Sequence, residues 1–266
     1  MARVLRNLLS DYGYNLVALP KEDIAPLLLL YKNNDGVSSA ESSLQKLFKV
    51  ADAPPPQLIR DKAVININGA ANITYDAEGG INLLDWLLQK LKMGKLSAKL
   101  KLDASNKVNI SYENVKEDKV DLLDLDNFIS GSSPDTSHFN TFREKLENSE
   151  LYVVTAVLKS NTFSIAIENE NDQQMDVEAT LKGIVDANVN VSHNKNNAIT
   201  LQQDNADQLV FAFKAQRIIY DKKEWWQFSK KEEANFRIKD QQGVILKGED
   251  DYPTDPLKEG ETLIDI

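Results

Sequence analysis

The 266-residue chain contains no cysteine, and that absence closes several chemistries at once. A thiol nucleophile, a thiolate metal site and a stabilising disulfide are all excluded, which fits a reducing cytoplasm. Histidine is nearly missing as well. His138 and His193 both lie in polar stretches, where an isolated imidazole is usually solvated. Long apolar runs are also missing: the densest, Ile24 to Tyr31, is short and interrupted by Pro26. A membrane-crossing helix needs roughly 18 or more such residues, so none is expected, and neither is a signal peptide. The sequence has no G-x-G-x-x-G, Walker loop, G-x-S-x-G or H-E-x-x-H. We therefore expect no enzyme activity, no cofactor and no metal. A basic surplus is lacking too, and the net charge of −10 argues against nucleic acid as a partner.

What the chain has in quantity is alternation. In the stretch 95–112, Leu96, Ala98, Leu100 and Leu102 alternate with Lys95, Ser97, Lys99 and Lys101. After a polar turn, Val108, Ile110 and Tyr112 take up the same beat, which predicts a hairpin with one apolar face. Val185, Ala187, Val189 and Val191 repeat the pattern, and Leu209, Phe211 and Phe213 follow it. "YNLVALP" predicts a strand near the start, and Val153 to Leu158 with Phe163 to Ile167 predict two more around "KSN". Helices are expected over 1–12, ended by Gly13, and from Asn82 as cap to Leu91. A third is expected after a Ser38–Glu41 capping box, burying Ala40, Leu44, Leu47 and Phe48, and a fourth bears Phe139, Phe142 and Leu146. Val120 to Ile129 fits helix or strand. The fold class is α+β, with a twisted, mostly antiparallel central sheet and surrounding helices.

Other conspicuous stretches read as structural. "ENENDQQ" at 168–174 has alternating acids, but Gln173 stands where a calcium loop wants glycine. "EWWQF" at 224–228 reads as packing, and Asp121, Asp124 and Asp126 read as surface acids without a catalytic partner. Charge is distributed unevenly. From Asp240 onward, eight acids face Lys247 and Lys258, a balance of −6 within the total of −10. Removing that segment leaves a body at −4, much closer to neutral, whose lysine-rich patches can approach an anionic bilayer with less repulsion.

"LLSDYGYNLVALPKEDIAPLLLL", the long β hairpins and "LVFAFKAQRIIYD" before a short tail together resemble the bacterial gasdermins. The pieces that carry this are Tyr12-Gly13-Tyr14-Asn15 running into Leu19-Pro20, the step Ile24-Ala25-Pro26-Leu27, and Phe211-Ala212-Phe213-Lys214-Ala215. The resemblance spans about Leu5 to Lys239. It implies a gasdermin N-terminal-domain-like fold for residues 1–239 and an autoinhibitory peptide over 240–266. It further implies a chain that is monomeric and cytoplasmic at rest. An activating protease removes the peptide, and the body then binds anionic lipids of the cell inner membrane. There it oligomerises into a ring and inserts its hairpins as a large β-barrel, causing cell death in antiviral (antiphage) defence. Family members commonly carry an acylated cysteine near the start; this chain begins Met1-Ala2-Arg3, so lipidation is not expected.

On that reading the membrane-inserting faces are Leu96, Ala98, Leu100, Leu102, Val108, Ile110, Val185, Val189, Val191, Leu209, Phe211 and Phe213. A barrel strand of about 9–11 tilted residues needs this alternation, one face for lipid and one for water. Arg3, Arg6, Lys95, Lys99 and Lys101 are the expected anionic-lipid contacts. Tyr252, Leu257, Leu263, Ile264 and Ile266 are the apolar anchors available to the tail, and Pro253 and Pro256 favour an extended course. The polar linker around Asp240, Gly243, Leu246, Lys247 and Gly248 is where cleavage is expected. The competing reading is a non-enzymatic lipid- or ligand-binding β-rich protein with a solubilising acidic tail.

Overall fold

Two adjacent strands, Leu151–Ser160 and Leu209–Tyr220, run side by side through the middle of the molecule and are buried on both faces. The computed structural model describes residues 9, 12–33, 36–50, 54–64, 72–76, 80, 82–85, 107–134, 140–168, 189–193, 199–203, 208–220, 236–239 and 263–264. In chain order the elements begin with β1 (Asn15–Lys21), β2 (Leu28–Asn33), β3 (Gly36–Ser43), the single helical turn α1 (Leu44–Leu47), β4 (Phe48–Val50), β5 (Leu58–Ala63) and β6 (Asn72–Asp76). Next come β7 (Lys107–Glu113), β8 (Lys116–Val120), α2 (Leu122–Ser130), β9 (Ser132–Pro134) and α3 (Asn140–Glu147). The remainder comprises β10 (Leu151–Ser160), β11 (Thr162–Glu168), β12 (Val189–His193), β13 (Ile199–Gln203), β14 (Leu209–Tyr220), β15 (Phe236–Lys239) and β16 (Leu263–Ile264).

Nine strands form the larger sheet, in the order β16-β1-β14-β10-β2-β3, with β15 added on β14 and β8 joining β10 to β5. A five-stranded sheet runs β12-β13-β11-β7-β6, and β4 pairs with β9. Among the described residues every pairing is antiparallel except β16 on β1. The expected α+β class with a mostly antiparallel sheet is therefore observed.

The period of two sorts β10 between two cores. Leu151 and Val153 pack with Leu44, Phe48, Phe128 and Leu146, the side covered by the helices. Tyr152 and Val154 point the other way, against Val17, Val210 and Phe213. A register shift between Val154 and Ala156 reverses the parity, so Val157 joins the second core. Each of these side chains contributes roughly 1.5–3 kcal/mol when fully buried.

Two local expectations are corrected. The Ser38–Glu41 capping box does not form: residues 36–43 are strand β3, and helix begins only at Leu44, after Ser43, whose side chain makes no cap bond. Tyr31 pairs with Ser38 and Leu30 with Ser39, so ladder bonds to β2 outweigh a local cap. Glu41 then adopts a left-handed φ of 48°, its N–H bonded to Ser39 Oγ at 3.0 Å. The leucines expected on the helix stripe, Leu44 and Leu47, are buried as foreseen.

Asn82 does not cap its helix, because Gly80 is already helical. A Cβ at Gly80 would stand 2.4 Å from the Val108 side chain, so only glycine lets this segment lie against β7. The two strands expected around "KSN" are present, as β10 and β11. β10 continues through Asn161 into β11, and the two strands pair with β8 and β7 instead of with each other. The ambiguous stretch at 120–129 resolves as helix α2, because Asp121 caps it by accepting from Leu123 N and Asp124 N at 2.9 and 3.1 Å.

Candidate functional site

The two sheets share a single bent ribbon. β10 faces β8 from Ala156 opposite Lys119 to Lys159 opposite Lys116. The same register continues where β11 faces β7, from Thr162 opposite Glu113 to Glu168 opposite Lys107. Both strands turn a corner between these blocks, at residues 114–115 and 160–161. Asn114 there takes a φ of 49°, a conformation asparagine tolerates better than most residues. Ser160 fixes the corner: its hydroxyl lies 2.5 Å from Glu113 O and accepts from Thr162 N at 2.9 Å. Ser160, Thr162 and Ser164 are all buried here, and Ser164 Oγ donates to Glu113 Oε1.

Below the corner, β7 alternates cleanly. Val108, Ile110 and Tyr112 are buried, while Asn109, Ser111 and Glu113 are half-buried. The Tyr112 ring lies flat on Phe211 of β14, centroids 3.9 Å apart and planes within 5°. That stack fastens the five-stranded sheet onto the nine-stranded one.

Above the corner, β8 is held by charge. Asp118, 6% exposed, accepts from Lys159 Nζ at 2.7 Å and from Asp61 N at 2.7 Å. Asp61 itself lies 3.1 Å from Lys159 Nζ and 3.8 Å from Lys116 Nζ. The Lys159 hydrogen bond and charge hold the Asp61 carboxyl below the usual carboxylate range. Asp61 has a φ of 54° inside the register break of β5 between Ile59 and Lys62, which turns its N–H toward Asp118. On the preceding residue of β8, Glu117 accepts from Tyr14 Oη at 2.5 Å. Lys214 Nζ sits 4.4 Å from the centre of the Tyr14 ring. Burial first, then the Glu117 hydrogen bond and charge, push the Tyr14 phenol far up, so it remains a donor at neutral pH.

The second part of the site is the sheet edge at β1. Leu263 pairs with Leu16 and Ile264 with Val17, in parallel. β1 contains Pro20, which lacks an N–H and belongs at an edge. The last strand before this one in sequence, β15, lies on the same flank of β14, along Arg217 to Tyr220, whereas β1 lies along Val210 to Phe213. The acidic stretch 240–262 thus connects two points on one side of the sheet.

Of the tail anchors expected from sequence, Leu263 and Ile264 fall on β16; Tyr252, Leu257 and Ile266 lie outside the described residues. Val108 and Ile110 are on β7, and Val189 and Val191 on β12, all in the five-stranded sheet. Leu209, Phe211 and Phe213 lie on β14, inside the nine-stranded sheet. Leu96, Ala98, Leu100, Leu102 and Val185 lie outside the described residues, as do Arg3, Arg6, Lys95, Lys99 and Lys101. The same holds for the linker residues Asp240, Gly243, Leu246, Lys247 and Gly248. Sequence reasoning missed Tyr14, Asp61, Glu117, Asp118 and Lys159. The available signal was "KEDK" at 116–119, a charged run inside a strand. Among the described residues no acid or histidine cluster could hold a metal ion, and no helix is long and apolar enough to cross a membrane.

Comparison with known proteins identifies the family and the fold. The model of the Bacterial Gasdermin Family matches residues 17–227. Gasdermin bGSDM of Gillisia limnaea is 55% identical over 266 residues, covering all of both chains. A Gasdermin bGSDM from an unknown prokaryotic organism is 34% identical over 268 residues, again over the whole of both. A solved bacterial gasdermin from Bradyrhizobium tropiciagri shares the fold at a TM-score of 0.57 and 14% identity, covering 97% of this chain and 93% of that one. The chain belongs to the bacterial gasdermin family, whose members are pore-forming proteins and not enzymes.

Proposed function

We propose that this chain is held inactive by its own tail and is released by proteolysis between β15 and β16. The observation that carries this reading is the tail strand Leu263–Ile264 added to the β1 edge. A cut in 240–251 would leave β15 on the body and detach β16. An exposed strand edge presents unpaired backbone groups that favour pairing with another chain. The tail strand covers such an edge with a ladder of only two residue pairs, short enough to be lost once it is no longer tethered. Detachment also removes the acidic stretch, leaving a body better suited to anionic lipid.

In this reading the freed body binds the inner membrane and assembles into a homo-oligomeric ring, in which only closure satisfies the backbone edges within lipid. The five-stranded sheet supplies the inserting faces, including Val108, Ile110, Val189 and Val191, together with the expected faces at 95–102 and 185. We assign Leu209, Phe211 and Phe213 to the resting core on which that sheet lies. The physiological outcome is membrane permeabilisation and cell death in antiphage defence.

The test is leakage of dye from anionic liposomes. A chain ending near Gly248 is expected to release the dye and the full-length chain to retain it. Equal leakage from both, or none from either, would overturn the proposal.

A further inference from the structure

We propose that the Tyr14–Glu117 hydrogen bond is the link through which the docked tail keeps the root of the β7–β8 ribbon closed, Tyr14 and Glu117 acting as positioning residues. The proposal rests on the tail-latch reading above.

The ladder between β1 and β14 is interrupted. Asn15 and Leu16 pair with Phe213 and Ala212, and pairing resumes only at Lys21 opposite Val210. Val17 falls within the break and is paired with Ile264 of the tail. Its side chain is buried against Val210 and Phe213, so the tail strand steadies a residue that is in the core but off the β14 ladder. Removing β16 therefore loosens β1 at the position where its other neighbour holds it least.

Tyr14 immediately precedes this strand and has little freedom of its own. Its N–H bonds to Leu9 O at 3.0 Å, its ring is 5% exposed beneath Lys214, and its hydroxyl reaches Glu117. Gly13, with a φ of 74°, makes the tight turn that sets the tyrosine there. Glu117 pairs through its backbone with Leu158 of β10, two residues before the corner at Ser160. Its carboxylate also lies 3.6 Å from Lys119 Nζ. The chain of contacts runs from Ile264 to Val17, along β1 to Tyr14, and across to β8, the arm from which β7 hangs. Displacement of β1 would pull the hydroxyl from Glu117 and leave a half-buried carboxylate short of a donor, a state that favours opening of the corner.

The test is a double-mutant cycle on the full-length chain, read by amide hydrogen exchange at residues 116–119 and 156–159. Ile264→Pro detaches the tail strand without cutting it, and Tyr14→Phe removes the hydroxyl alone. Each is expected to speed exchange at the corner about tenfold, the scale of one intramolecular hydrogen bond, and the double variant by about the same tenfold. Glu117→Gln, which keeps an acceptor, is expected to stay within about twofold of the unsubstituted chain, while Glu117→Ala matches Tyr14→Phe. Glu117→Ala makes the same measurement from the other side should Tyr14→Phe fail to fold.

Multiplication of the two effects to about a hundredfold would overturn the link, as would wild-type exchange in Glu117→Ala. The two readings separate cleanly. Ile264→Pro that leaks vesicles, beside additive exchange effects, keeps the latch and removes the link. Ile264→Pro that leaves vesicles sealed, beside non-additive effects, keeps the link and removes the latch.

Discussion

β10 and β7 belong to one continuous ladder, yet they differ in how their side chains are buried. Along β10 every side chain but Lys159 is buried, because helices cover one face and β1 and β14 residues pack the other. Along β7 only every second side chain is buried, and Asn109, Ser111 and Glu113 keep a polar face. A strand apolar on both faces has no stable arrangement outside its own core. A strand with one apolar and one polar face has two, a half-buried sheet in water and a barrel wall between lipid and lumen. The corner at 114–115 and 160–161 is where the molecule changes from one kind of strand to the other, and the charged and polar fastenings collect there.

The comparison can be broken most severely from the core side. Phe211→Ala removes a fully buried ring and its stack on Tyr112, and is expected to cost about 3–5 kcal/mol in urea unfolding. If β14 is purely a scaffold, the loss appears equally in full-length and tail-cut protein. Next in size, Asp118→Ala leaves Lys159 without its closest acceptor and Asp61 N–H without a partner at the corner, an expected loss of about 2–3 kcal/mol. Its exchange signature should centre on β5 and β8 and spare β2. Asp121→Ala sharpens the contrast by touching neither sheet. It removes only the α2 cap, with an expected cost of about 1 kcal/mol in thermal unfolding.

The smallest expected effect is on pH. The Asp61 carboxyl is held low by Lys159, so its contribution is present above the unfolded carboxylate value and is lost as pH falls through its own lower one. The full-length chain should therefore lose stability below about pH 4 on this account, and Asp61→Asn should flatten that acid limb. The side chain is half exposed, so the change in slope is slight.

Much of this division was legible in the residues. The alternation of Val108, Ile110 and Tyr112 placed β7, and the density of Val153 to Leu158 placed β10, because burial imposes a period of two or none at all. Gly13 at the end of the first segment has the positive φ that its position suggested. Elsewhere the deciding partner was distant. Ser38 and Glu41 have the right spacing for a helix cap, and only the neighbouring β2 edge makes them strand. "KSN" has turn chemistry, but Ser160 uses its hydroxyl to bend a ribbon whose other strand lies in β7 and β8. Tyr14 and Glu117 stand 103 residues apart, and no periodicity connects them. No pattern local to β8 marks Asp118 as buried; Lys159 and the left-handed backbone at Asp61 meet it there.

The absence of cysteine permits a direct test of the tail itself. Paired residues on neighbouring strands stand about 4.8 Å apart, within disulfide reach, so Leu16→Cys with Leu263→Cys can pin β16 to β1. The cross-linked chain is then cut in 240–251 and mixed with dye-loaded anionic vesicles. The account expects no leakage until a reductant is added and rapid release afterwards. Leakage that begins on cutting, with the disulfide intact, would contradict it.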